Sequence, residues 1–99
     1  MRVKAKLKGD VATIKLLIKH PMESGRRKDE AGNVIAAKYV QTVTAHIAGT
    51  QVFEVNSGAG VSKNPFIQFI LTGRAVGDVI DLKWVDSSGA NEEDSVTLK

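Results

Sequence analysis

The sequence predicts an all-β fold, an immunoglobulin-like sandwich of about seven antiparallel strands, and three observations carry that expectation. Apolar and polar residues alternate with a period of two, and no segment keeps apolar residues at helical spacing over three turns. Turn-forming clusters of Gly, Pro, Asn, Asp and Ser recur roughly every 8–14 positions, the spacing of short strands in a sandwich. The chain has 99 residues, enough for one cored domain over residues 1–99 and too few for two. Surface scaling allows about 64% of the unfolded chain's surface to be buried, so a core of useful size forms without metal or disulfide support.

The elements follow in order. Val3, Ala5 and Leu7 alternate with Arg2, Lys4, Lys6 and Lys8 as a first strand, whose outward lysines discourage edge-to-edge pairing. Gly9-Asp10 breaks the run, and Ile14, Leu16 and Ile18 alternate with Thr13, Lys15 and Lys19 as a second. Residues His20 to Asn33 are polar and punctuated by Pro21, Gly25 and Gly32, which predicts one long irregular connection. Tyr39, Val43, Ala45 and Ile47 are expected on one face of a third strand, Gly49-Thr50 as a turn, and Val52 to Val55 as a fourth strand ended by Gly58-Ala59-Gly60. Asn64-Pro65 excludes helix, because the proline ring clashes with an α-conformation before it, and Phe66 to Thr72 reads as a fifth strand. Ile80, Leu82 and Trp84 share the buried side of a sixth. Ser87-Ser88-Gly89-Ala90 then turns the chain, Glu92, Glu93 and Asp94 read as an exposed acidic corner, and Ser95 to Leu98 closes the sheet.

Composition narrows function. Apolar residues are 42% and charged residues 25%, which fits a globular domain and disfavours disordered and transmembrane classes. There is no cysteine, so disulfides, thiolate nucleophiles and Cys-ligated metal are excluded for this chain. The formal charge is +3, from 14 Lys+Arg against 11 Asp+Glu. Residues 1–40 hold ten basic and four acidic groups, and residues 41–99 hold four basic and seven acidic. Such asymmetry steers anionic partners, although a solvated lysine face has the same composition. No aromatic side chain interleaves the basic residues to stack on bases, so nucleic acid is not an expected partner.

The residues that carry chemistry do not assemble into a catalytic set. His20 and His46 are the only two histidines, and neither has nucleophile-elbow spacing to Ser24, Ser57 or Ser62. His20 and Glu23 have a spacing that binds metal on a helix, but Pro21 puts them in a loop. Gly58-Ala59-Gly60 lacks the helix and the Gly-Lys-Ser/Thr of a phosphate loop. Asp78, Asp81 and Asp86 lie near turns or point outward. No cofactor or metal is expected, and binding is favoured over catalysis. The N-terminus never builds an apolar signal stretch, which on its own features reads as cytoplasmic.

Four segments taken together resemble a known family: KAKLKGDV at Lys4 to Val11, HPMESGRRKD at His20 to Asp29, VSKNPF at Val61 to Phe66 and GDVIDLKWVDSSG at Gly77 to Gly89. In order and spacing they are similar to the SoxZ family of bacterial sulfur-compound oxidation, over nearly the whole chain. The resemblance implies an immunoglobulin-like, non-enzymatic subunit that pairs with a second subunit, SoxY. SoxY carries thiosulfate-derived sulfur covalently on a cysteine in a glycine-rich C-terminal arm, while separate cytochrome, hydrolase and dehydrogenase enzymes process it. It also implies a periplasmic location by co-export with a signal-bearing partner, against the cytoplasmic reading, and no nucleic-acid or membrane partner. A freestanding binding or adhesion module, or a carrier subunit of another redox pathway, stays open from the residues alone, since this fold hosts many functions.

The two connections longer than a minimal hairpin, His20 to Asn33 and Gly58 to Pro65, are the expected resting place of the partner's arm. His20, Met22, Ser24, Arg26, Arg27, Gly58, Gly60, Lys63 and Asn64 are the candidate contacts. The glycines admit a foreign backbone and the cations bind an anionic sulfur adduct. Phe53, Val55, Phe66 and Phe69 are candidates for a subunit interface, with core packing as the alternative for each.

Overall fold

The computed structural model describes residues 1–58 and 63–99. Among them run seven strands, β1 (Arg2–Lys8), β2 (Val11–Leu17), β3 (Val40–Ile47), β4 (Thr50–Asn56), β5 (Phe66–Leu71), β6 (Val79–Asp86) and β7 (Asn91–Thr97). They form two antiparallel sheets, three-stranded β1-β2-β5 and four-stranded β4-β3-β6-β7, the sandwich that the alternation implies.

Register explains the core. In the three-stranded sheet Val3, Leu16 and Ile67 line up across the strands, as do Ala5, Ile14 and Phe69, and then Leu7, Ala12 and Leu71. In the facing sheet Val43 pairs with Trp84 and Ala45 with Leu82. Ile14, Leu16, Val43, Ile80 and Leu82 are all buried, and removing each such side chain from water contributes about 1.5–3 kcal/mol. Along one flank β1 and β7 close the sandwich, where the N-terminal ammonium binds Glu92 Oε1 at 2.7 Å. On the other flank Phe53 of β4 stacks on Phe69 of β5, ring centroids 4.0 Å apart.

Four expectations are corrected. The third strand begins at Val40, not Tyr39, and a bulge between Val40 and Thr42 shifts the phase of alternation, so Val40, Val43 and Ala45 share the buried side. The β3–β4 hairpin turns at Ala48-Gly49, one residue early, with φ of 51° and 81°. Two successive residues with positive φ give the turn whose twist matches that of the flanking strands. Glu92, Glu93 and Asp94 are not a corner but part of β7, opposite Trp84, Lys83 and Leu82; an edge strand tolerates and benefits from charge. The irregular connection runs from 18 to 39 and is folded back on itself, with bridges Glu23↔Lys38 and Lys28↔Val34.

Candidate functional site

The motif residues meet at one pole of the sandwich. Ile18 is already past β2, and its N–H donates to the Pro65 carbonyl at 3.0 Å. The next contacts are reciprocal: the His20 N–H donates to Asn64 Oδ1, and the Asn64 N–H donates to the His20 carbonyl, both at 2.9 Å. Asn64 adopts φ 54° to do this, a conformation that asparagine tolerates better than most residues. Pro21 holds His20 extended. Met22, at φ 51°, then reverses the chain so that its N–H donates to His20 Nδ1 at 3.0 Å, while its sulfur accepts the Val40 N–H at 3.3 Å.

These bonds set the chemistry of His20. A ring nitrogen that accepts from a backbone amide carries no proton, so the neutral ring is protonated on Nε2. Nε2 donates to Asp86 Oδ2 at 2.9 Å, and the ring stands edge-on to Trp84 with centroids 5.3 Å apart. Asp86 Oδ1 accepts from the Ser88 N–H at 2.9 Å, the Ser88 hydroxyl at 2.7 Å and the Ala90 N–H at 2.9 Å. Burial by itself raises the pKa of this carboxyl. The bonds from His20, Ser88 and Ala90 outweigh it and hold the value at about 2. Asp86 is therefore an anion, with Lys38 Nζ at 4.0 Å on the exposed side.

The arrangement is a clasp rather than a catalytic relay. His20 is 3% exposed and Asp86 1%, and both imidazole nitrogens are engaged, so no nitrogen is left to accept a substrate's proton. Ser88 binds the carboxylate, not the ring. Among the described residues no buried side-chain polar atom lacks a partner, so the pole is internally complete. Asp86, expected near a turn or facing outward, does lie at the turn after β6, but it is buried and central to the pole, which the sequence does not show. Its Asp-Ser-Ser-Gly context does signal a carboxylate capping the turn two residues on, but nothing in it announces a histidine 66 positions upstream.

The other candidates divide. His20, Met22 and Asn64 come together in the clasp. Ser24, Arg26 and Arg27 lie on the exposed excursion, where Arg27 forks onto Glu23 at 2.6 and 3.1 Å and the Ser24 hydroxyl accepts the Arg26 N–H at 3.3 Å. Gly25 lies against Ala37 there, at φ 85°, where a Cβ would stand 3.3 Å from the Ala37 Cβ, so a side chain at this position would be both strained and crowded. Lys63 is exposed beside Asn64, and Gly58 is half-buried. Gly60 lies outside the described residues. His46 is half-buried on the outer face of the four-stranded sheet, opposite Asp81. Of the four interface candidates, Phe69 is core, Phe53 and Val55 pack partly against it, and Phe66 is exposed.

Residues 1–97 match a family model described as sulphur oxidation protein SoxZ. No curated protein gives a match.

Proposed function

The chain belongs to the SoxZ family of sulphur oxidation proteins, and on that premise we propose that it is the non-catalytic subunit of a sulfur-carrier complex. Its partner is a SoxY subunit that holds the sulfur covalently on a C-terminal cysteine arm. The observation that carries this reading is the extent of the match: residues 1–97 include all seven strands and the three segments that meet in the His20–Asn64–Asp86 clasp. The cysteine-free composition supports it, because such a subunit offers no thiol to exchange with a sulfur adduct on its partner. In this reading the chain works in the periplasm, exported with its partner, and meets the processing cytochrome, hydrolase and dehydrogenase transiently.

Co-expression with SoxY and size-exclusion chromatography with light scattering test the proposal. The expected result is a 1:1 complex that alone supports thiosulfate-dependent turnover when the processing enzymes are added, with the isolated chain inert. Thiosulfate oxidation by the isolated chain, or two subunits that elute separately, overturns it.

A further inference from the structure

The sandwich has four strand edges, and three are guarded by charge. β1 carries Arg2, Lys4, Lys6 and Lys8, β7 carries Glu92, Glu93 and Asp94, and β4 carries Glu54. Edge strands use such charges to refuse pairing with foreign strands. β5 has none. Its six residues, Phe-Ile-Gln-Phe-Ile-Leu, contain no charge, glycine or proline, pair with β2 without a bulge, and have the composition that forms intermolecular sheets most readily. Among the described residues the sheet has no further strand beyond β5. Phe66 and Ile70 are both 60% exposed on its outer face, and Ile67 and Leu71 stand half-buried on its inner side near the Phe53–Phe69 seam.

We infer that β5 is the docking edge for the partner subunit, which adds an extended strand to the three-stranded sheet and lays acidic side chains over its outer face. The inference deepens the reading above and rests on it for the partner's existence. Charge chooses the occupant. The outer face of the three-stranded sheet holds Lys15 on β2, next to β5, and Arg2, Lys4, Lys6 and Lys8 on β1, one strand further, with no carboxylate on any of the three strands, and among the described residues none of the five is in an ion pair. A second copy added through β5 would bring two such basic faces into one continuous sheet, at a repulsive cost. A strand with carboxylates on that face, and apolar residues over Phe66 and Ile70, meets attraction instead. Backbone pairing supplies affinity and the two exposed side chains supply specificity.

The test uses the complex with SoxY. Hydrogen exchange should show alternate amides of Phe66–Leu71, those pointing away from β2, strongly protected in the complex and open in the free chain. The double variant Phe66→Lys/Ile70→Lys should weaken the complex at least about 100-fold, and Lys4→Glu/Lys6→Glu/Lys15→Glu should slow association at low salt but not at high salt. A complex whose β5 amides exchange as in the free chain, or whose affinity survives Phe66→Lys/Ile70→Lys, places the partner elsewhere and overturns the edge while leaving the subunit reading intact. Protection of β5 in the isolated chain as its concentration rises makes the occupant a second copy and overturns it too. No complex with the wild-type chain overturns both.

Discussion

The pole around His20 and the edge at β5 lie at opposite extremes of satisfaction. At the pole, residues from three distant segments use their polar atoms on one another: Asn64 on the His20 backbone, Met22 on Nδ1, Asp86 on Nε2, Ser88 and Ala90 on Asp86. At the edge, a whole strand flank and two large apolar side chains have no partner strand among the described residues. The distinctive residues of the sequence thus serve architecture, and the plainest strand is the one left open. Motif density and functional exposure are separate properties. A motif built of histidine, asparagine and aspartate is memorable because its geometry tolerates few substitutes, which is equally true of a closed structural joint.

The sharpest way to break the comparison is to open the pole. Asp86→Ala leaves the amides of Ser88 and Ala90 and the buried His20 ring without their acceptor, and removing one member of such a buried network costs about 3 kcal/mol. Urea unfolding measures it; a loss below about 1 kcal/mol would show that the pole relaxes freely and is not a clasp.

A smaller effect is expected from protons alone. The Asp86 carboxyl falls from its usual 3.8 to about 2 in the folded chain, and a shift of this size corresponds to about 2 kcal/mol. Because the folded value is the lower one, this stabilisation is complete above the unfolded pKa and disappears as pH drops from near 4 through 2. Thermal melts from pH 7 to pH 2 of the wild type and Asp86→Asn should therefore show a stability gap that narrows across that window. A gap of constant size at every pH would assign the cost of the variant to shape rather than to the anion.

The same contrast explains what was legible in the sequence. Strand existence was readable because alternation such as Val3, Ala5, Leu7 against Arg2, Lys4, Lys6 reports a half-buried strand locally. Val43 and Ala45 lie on the one face that the alternation gives them, but the burial of Val40 at the start of β3 is not legible, since the bulge at Val40 to Thr42 inserts a residue with no local signature. The start of β7 is hidden in the sequence because Glu92 to Asp94 are charged, and charge at an edge strand resembles charge in a turn. His20 stands out in the sequence, but its bond to Asp86 does not. The bond to Asp86 spans 66 positions, and only topology brings the end of β2 to the end of β6. β5 was recognised as a strand, yet periodicity does not say whether a strand lies inside a sheet or at its margin, so its open flank was invisible until the sheet order was known.

The smallest expected effect bears on the edge itself. Phe66 and Ile70 are each 60% exposed, so their outward surface touches water in the isolated chain and contributes little to folding. Phe66→Thr and Ile70→Thr keep a β-favouring residue at each position and should each change stability by less than about 0.5 kcal/mol. Truncating Phe69, one strand position from Ile70 but on the buried side, should cost about 3–5 kcal/mol. Urea midpoints measure both losses. A stability loss above about 1 kcal/mol from either threonine variant would mean that the outer face of β5 is already packed within the chain. β5 would then be as self-contained as the pole, and the contrast between them would be gone.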